Sequence, residues 1–301
     1  MSYPSWHAVE ALDEAMDDAK ELFLPIDKGT WLRMILIVFL TGGLFTSILA
    51  PGPVETGTTD LQGLENNIQQ PNQITGGTAL LVIGAIAGTI TLLGYISSVF
   101  QFIFFQTVKD GEPMISSGFS KHWLNGIKYL AFRTAIALLT ITLYLALLGT
   151  LSEGGLLLGI MALTLLVPVW ITISLISFTF NNYAIPHIVE KEAGFTEAFT
   201  RALNVFYAQW KQAAVYIIVA ILLNIVIAVL LFSMLSFVFL ALAIPAFIFT
   251  LAAFAINPVI GLLSMIVEAI VAFAIILVAA TPLRTYLTQW IYETYTNFEA
   301  K

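Results

Sequence analysis

The chain has 301 residues, of which 59% are hydrophobic and only 10% charged, with a mean hydropathy of +0.91 and a net charge of −7. This composition excludes a soluble globular domain, in which about 25% of residues are charged. The absence of cysteine excludes disulfide frameworks, thiolate metal sites and cysteine nucleophiles. Much of the acidity lies in Glu10, Asp13, Glu14, Asp17, Asp18, Glu21 and Asp27. An acidic segment repels phosphate, so nucleic acid is not an expected partner.

The N-terminal segment reads as an amphipathic helix. Val9, Leu12, Met16, Ala19 and Phe23 follow helical spacing along one face, Ser5 is placed to cap it, and the other face is acidic. The acidic start lacks the basic region of a cleavable signal. Such a helix either lies in the headgroup region beneath the bundle or docks a cytoplasmic partner through Asp13, Asp17 and Glu21. It is the better docking candidate of the cytoplasmic helices, because anionic lipid repels its outer face.

A transmembrane helix needs about 20 apolar residues. Six stretches qualify: 31–50, 78–108, 129–151, 155–180, 213–235 and 262–287. The second is about 46 Å long as a helix, so it tilts or projects beyond the bilayer. Between the last two, 236–261 is also apolar and contains Pro245 and Pro258. The residues from Ala213 to Arg284 are too few for four crossings of about 20 residues each. The stretch is therefore expected to form a re-entrant or interfacial hairpin broken at its prolines, with two extra short spans as the alternative.

With the N-terminus inside, all 12 Lys and Arg fall in inside segments or at inner span ends, and 51–77, 152–154 and 236–261 hold none. This positive-inside asymmetry predicts a multi-pass plasma-membrane protein with both termini cytoplasmic. Trp6, Trp31, Trp123, Trp210 and Trp290 gather on the same side, as in an aromatic belt, and Trp170 is the exception.

An internal repeat is also legible. ISSGFSK (115–121) and FTEAFTR (195–201) match in residue class at all but one position. Each follows a charged turn, KDGEP or EKEAG, and leads through a Trp and a Lys into the next span; VEALDE (9–14) is a weaker copy. The chain then reads as one membrane domain, 1–301, of three units at 5–108, 112–180 and 192–290, each an amphipathic segment plus a two-span hairpin. Chance similarity is the alternative, above all for the N-terminal copy. In the third unit Phe195, Phe199, Ala202, Phe206 and Trp210 form an apolar stripe.

The stretch ALDEAMDDAKELFLPIDKGTWLRMILIVFLTGG combines an acidic helix with Phe23-Leu24-x-Ile26, Trp31-Leu32-Arg33, Phe39 and Gly42-Gly43. It resembles the start of an uncharacterised family of archaeal integral membrane proteins common in halophiles. AIPHIVEKEAGFTEAFTRALNVFYAQW (184–210) is similar to a wider superfamily that includes the membrane domain attached to some glycerophosphodiester phosphodiesterases. The resemblance is best over the N-terminal 45 residues and this loop. It implies an all-α six-span bundle with cytoplasmic amphipathic helices and carries no activity; the phosphodiesterase catalytic domain has no counterpart here.

The most informative single residue is Glu268, which lies about 24 Å along a helix from Arg284 and inside a predicted span. An ionisable group at that depth is a functional-site hypothesis by default. Ser264, Asn224 and Asn257 are its candidate neighbours. It is either a proton or cation site, or a carboxyl kept neutral by burial or hydrogen-bonded near the outer interface. Arg33 and Arg133 begin spans and read as snorkelling residues. Gln101, Gln106, Asn181 and Asn182 either line a polar inner cavity or bond between helices. Pro168 reads as a kink, and Gly42, Gly43 and the Gly84/Gly88 pair read as close helix packing.

His7, His122 and His187 lie in separate segments without metal-ligand spacing, and the common hydrolase, zinc and nucleotide motifs are absent. His187 with Glu190 and Glu192 is a charged cluster or, as the better reading, a solvated loop. No enzyme activity, cofactor or metal is therefore expected. The leading expectation is a non-enzymatic membrane scaffold or accessory subunit that offers its helices to a protein partner and its bundle to membrane lipids. The rival is a small-solute or ion transporter built on Glu268, although three hairpins are not the paired inverted repeat of most transporters.

Overall fold

The computed structural model describes residues 6–24, 27–42 and 76–300, and every regular element among them is helical. Ser5, Gly43, the outer part of the first predicted span (43–50) and most of 51–77 lie outside the described residues. Helices α1 (His7–Phe23) and α2 (Lys28–Leu40) are followed by α3 (Gly76–Asp110) and α4 (Ile115–Thr179). Helix α4 turns back at Gly155, whose φ of 67° suits a residue without Cβ. A π-helical turn, Phe180–Ala184, leads into α5 (Ile185–Lys191), and then come α6 (Phe195–Ala208), α7 (Trp210–Ile256) and α8 (Pro258–Glu299).

Five helical stretches among the described residues are long and apolar enough to cross a membrane: Ala87–Asp110, Ile115–Ser152, Leu158–Lys191, Trp210–Ile256 and Pro258–Glu299. They overlap five of the six predicted spans. The two arms of α4 share one apolar cleft, lined by Thr140, Tyr144 and Leu147 from the first and Leu163, Leu166 and Trp170 from the second. The repeated blocks behave alike at their starts: ISSGFSK opens α4 at Ile115, and FTEAFTR opens α6 at Phe195. They then diverge, because α4 runs on into its span whereas α6 stops at Ala208 and the span restarts at Trp210.

Of the two proline breaks expected in 236–261, the structure shows the one at Asn257–Pro258 and none at Pro245. Helix α7 continues through Pro245 to Ile256 for 47 residues, and the only reversal is at Asn257. A mid-helix proline removes one hydrogen bond and bends a helix without necessarily ending it. Pro258 sits at the first turn of α8, where its missing N–H has no partner to lose. Asn257 is extended (φ −161°), and its Oδ1 accepts from Val259 N at 2.8 Å. The α7–α8 pair is thus one long hairpin whose arms measure about 70 and 63 Å at 1.5 Å per residue, about twice the ~30 Å hydrocarbon layer.

The aromatic core lies at the end of the bundle that carries the basic residues. Phe102, Phe105, Tyr129, Phe180, Tyr183, Tyr216, Trp290 and Tyr295 are buried there among α1, α3, α4, α6, α7 and α8. Away from this layer, α4, α7 and α8 expose Leu165, Leu230, Phe237 and Ile270. Such a surface is stable when lipid covers it. One close approach is made by Gly126 on α4: a Cβ there would overlap Val99 Cγ2 and stand 3.1 Å from the Val99 backbone of α3. Gly84 and Gly88, read from sequence as packing glycines, have nothing within 4 Å among the described residues.

Helix α1 docks on the C-terminal half of α8, rotated from the expected stripe. The buried positions are His7, Ala8, Ala11, Ala15, Ala19 and Phe23, whereas Val9 and Met16 are exposed. Small residues let the two backbones approach closely, and that approach brings three α8 side chains onto α1. Trp290 Nε1 donates to Ala8 O at 2.7 Å, Gln289 Nε2 to Asp18 Oδ2 at 2.7 Å and Tyr286 OH to Leu12 O at 3.4 Å. In α6 the expected stripe is largely kept: Ala202 is buried, Phe195, Phe199 and Phe206 pack on the core, and Trp210 is exposed.

Two measurements check this arrangement. Ala11→Leu overpacks the α1–α8 contact and should lower stability by about 1–3 kcal/mol, with faster proteolysis after Lys20, whereas Val9→Ser should stay within about 0.5 kcal/mol of wild type. Asp27 caps α2, with Thr30 N donating to its Oδ2 at 2.7 Å, and this bond holds the carboxyl below its ordinary value of 3.8. A depressed carboxyl stabilises above the unfolded value and loses that effect as pH falls through the folded one. Amide-exchange protection of Thr30 should therefore fall below about pH 3.8 in wild type and not in Asp27→Ser, which caps without titrating.

Candidate functional site

Four helices converge on a polar cavity of about 370 Å³ just inside the aromatic layer. Helix α3 contributes Gln101, the first arm of α4 Tyr129 and Arg133, the second arm and the π-helical turn Ser177, Asn181 and Asn182, α7 Asn224, and α8 Arg284 and Thr288. Three chain segments change from apolar to polar at this level, beyond Arg133, at Asn181 and at Arg284. The π turn is where the second arm presents two asparagines in succession, and such single-turn bulges recur at functional sites.

The polar groups are held from several sides. Tyr129 OH donates to Asn181 Oδ1 at 2.6 Å, which joins α4 to the π turn. The Tyr129 ring also faces the Arg133 guanidinium at 5.6 Å, and Arg133 Nη1 donates to Ser97 Oγ at 3.5 Å. Arg133 is therefore directed into the bundle and does not snorkel outward as its position at a span start suggests. Asn182 and Asn224 each donate to their own helix, to Phe178 O at 2.7 Å and Ala220 O at 2.8 Å. Gln106, grouped with Gln101 from sequence, turns the other way and meets His122 Nε2 at 3.0 Å.

The candidate intramembrane site from sequence, Glu268 with Asn224 and Asn257, is not one site. Glu268 Oε1 accepts from Thr250 Oγ1 at 2.6 Å, and Thr250 Oγ1 meets Ser264 Oγ at 3.2 Å. Asn224 lines the arginine cavity, and Asn257 caps α8. The separation follows from the uninterrupted α7, which brings Thr250 level with Glu268 and leaves Asn224 some 26 residues, or about 39 Å, further down the same helix. Between the two levels the α7–α8 cleft is lined by Met234, Leu235, Val238, Val271, Ile275 and Val278, all apolar.

His187, Glu190 and Glu192 are neither a cluster nor a solvated loop. His187 is buried on α5 with Nδ1 at 3.1 Å from Tyr295 OH. Glu190 accepts from Tyr292 OH at 2.7 Å and pairs with Lys109 at 3.2 Å. Glu192 pairs with Lys121 at 2.6 Å, which holds its carboxyl below the usual carboxylate range. Arg201 meets Glu299, which also accepts from Tyr183 OH. Asp13, Asp17 and Glu21 are exposed on α1, and Asp17 pairs with Lys20 at 3.0 Å. Among the described residues, no three His, Asp or Glu side chains converge as metal ligands.

A family's sequence model matches residues 6–295, nearly the whole chain. The chain belongs to DUF7544, a family of unknown function. No curated protein and no solved structure matches it. DUF7544 membership therefore brings no assigned chemistry, and the geometry has to carry the functional argument.

Sequence reasoning reached Gln101, Asn181, Asn182 and Glu268 because polar residues near or within apolar stretches are conspicuous. It missed Thr250 and the pairing of Arg133 with Arg284 at one cavity, because threonine is common in apolar helices and facing pairs between helices have no sequence spacing. The Thr250–Glu268 bond has a direct test in this DUF7544 chain. A double-mutant cycle with Thr250→Val and Glu268→Ala should give a coupling energy of about 0.5–1.5 kcal/mol in detergent unfolding, whereas an additive result would mean that the two groups do not interact.

Proposed function

We propose that this protein is a non-enzymatic integral membrane scaffold or accessory subunit of the plasma membrane, with both termini cytoplasmic, that presents the acidic face of α1 to a protein partner. The supporting observation is how α1 is held. Its alanine face and three hydrogen bonds from α8 fix one side, and Asp13, Asp17 and Glu21 remain exposed on the other. A helix anchored along its length carries its charges at fixed positions, as a recognition surface requires. The partner would offer a basic surface, and salt would weaken the contact. The positive-inside asymmetry supports the orientation, and the shared helix starts at Ile115 and Phe195 support common ancestry of the second and third units. The likeness to archaeal families and to the membrane domain of glycerophosphodiester phosphodiesterases belongs to the same reading.

The competing reading is a small-solute or ion transporter. The Thr250–Glu268–Ser264 contacts favour it, since they form a polar group within apolar helices. The apolar lining between Glu268 and the arginine cavity weighs against it, because a transport path needs continuous hydration.

Purification of the tagged full chain from native membranes in mild detergent tests both. A stoichiometric partner should co-purify and be lost in Asp13→Lys/Asp17→Lys/Glu21→Lys, a variant that keeps the wild-type unfolding temperature because all three positions are exposed. A bare chain from native membranes, or a partner retained by the triple variant, removes the docking role. Glu268→Gln should leave every measured flux unchanged in reconstituted vesicles; a lost flux would establish the transporter.

A further inference from the structure

We propose that the cavity lined by Arg133 and Arg284 binds a phosphate group, carried by an anionic lipid headgroup or present as free phosphate. This inference does not rest on the scaffold reading. It starts from a contrast among the cations. Lys20, Lys109, Lys121 and Arg201 are paired with carboxylates at 2.6–3.2 Å. Lys28, Arg33, Lys128, Lys191 and Lys211 are exposed. Arg133 and Arg284 alone among the described cations are half-buried, and neither pairs with a described carboxylate.

A charge withdrawn from water without a counter-charge is costly, and the cost rises inside an apolar bundle. Two such charges at one cavity repel each other as well. An arrangement of this kind is stable when an anion occupies it. A phosphate suits the donors: guanidinium groups bind its oxygens through paired N–H bonds, and its negative charge, one in a lipid phosphodiester and between one and two in free phosphate, offsets the arginines. Arg133 is already oriented by Tyr129 and Ser97. Arg284 reaches the same cavity from α8, and Gln101 and Ser177 add neutral donors around it. A volume of about 370 Å³ is at the lower end of small-ligand pockets, about 300–1,000 Å³. The cavity also lies where the helices change from apolar to polar, the level of phosphates in a bilayer. Glu293, the carboxylate nearest to Arg284 in sequence, accepts from Gln289 Nε2 at 3.3 Å and from Thr296 Oγ1 at 3.4 Å, and Glu190 and Glu299 are committed to Lys109 with Tyr292 and to Arg201 with Tyr183.

The test uses the full chain in dodecylmaltoside and reads the unfolding temperature. The probes are phosphatidylglycerol, diacylglycerol as its phosphate-free counterpart, and sodium phosphate against sodium chloride at equal ionic strength. Phosphatidylglycerol should raise the temperature by about 5 °C at a hundredfold excess over its dissociation constant, and diacylglycerol should not. Arg133→Gln and Arg284→Gln should each weaken the phosphatidylglycerol effect by at least about tenfold in concentration. Asn224→Asp carries the argument if either arginine variant fails to fold. It puts a carboxylate on the cavity wall, so it should raise the unfolding temperature without lipid and abolish the lipid-dependent rise. A rise with sodium phosphate alone assigns the site to free phosphate, and a rise with phosphatidylglycerol alone assigns it to a headgroup; both support the site. Equal rises with phosphatidylglycerol and diacylglycerol, no rise with any probe, or a full phosphatidylglycerol rise in Asn224→Asp would overturn it.

Discussion

The Trp290 indole joins the parts of this protein that no local rule would bring together. Its N–H donates to the Ala8 carbonyl of α1, its ring stacks on Tyr216 of α7 at 5.0 Å, and its edge lines the arginine cavity. It has no solvent exposure. A tryptophan buried with its N–H satisfied contributes both apolar area and direction. Here the direction matters most. The bond to Ala8 fixes where α1 sits along α8, and that register places the alanine face inward and the acidic face outward. The stack on Tyr216 fixes α7 against α8 at the same height, where Asn224 and Arg284 line one cavity.

Polar chemistry is partitioned by depth. In the aromatic layer, carboxylates, tyrosines and cations satisfy one another, as in Lys109–Glu190–Tyr292 and Arg201–Glu299–Tyr183. Such networks hold helices in register because a half-satisfied buried group is expensive. One step further in, the pattern changes to an excess of positive charge faced by neutral amides and hydroxyls. Further still, the α7–α8 cleft is apolar until Thr250, Ser264 and Glu268. The cavity and the Glu268 contacts are therefore separate sites with separate roles, and a reading that joins them has no polar material to do so.

The long α7–α8 hairpin follows from local chemistry at one turn. Asn257 is extended and caps α8, Pro258 occupies the position where proline costs least, and the helix N-terminus is satisfied by Asn257 Oδ1. Pro245 sits within a helix whose remaining hydrogen bonds are kept, and in an apolar surrounding the alternative to helix is unsatisfied backbone.

The amino-acid sequence by itself determined that the chain is helical, that its apolar stretches suit a membrane, and roughly where five of those stretches lie. These depend on composition and on runs of neighbours, so chain order suffices. It also singled out Gln101, Asn181, Asn182 and Glu268 as polar residues needing an explanation. What only the tertiary structure decided is which residues face each other. Val9 and Met16 fit a helical stripe as well as Ala8 and Ala15 do, and the close approach of α8 selected the alanines. Asn224 and Asn257 were the partners that the sequence offered Glu268, and the path of α7 brought Thr250 to it instead. Arg133 and Arg284 are 151 residues apart in sequence, and only the fold, in which α4 and α8 both pack on α3 and on the π-helical turn, brings them to one cavity. Helix periodicity is a property of one segment, whereas register between segments is set by contacts that no single segment contains.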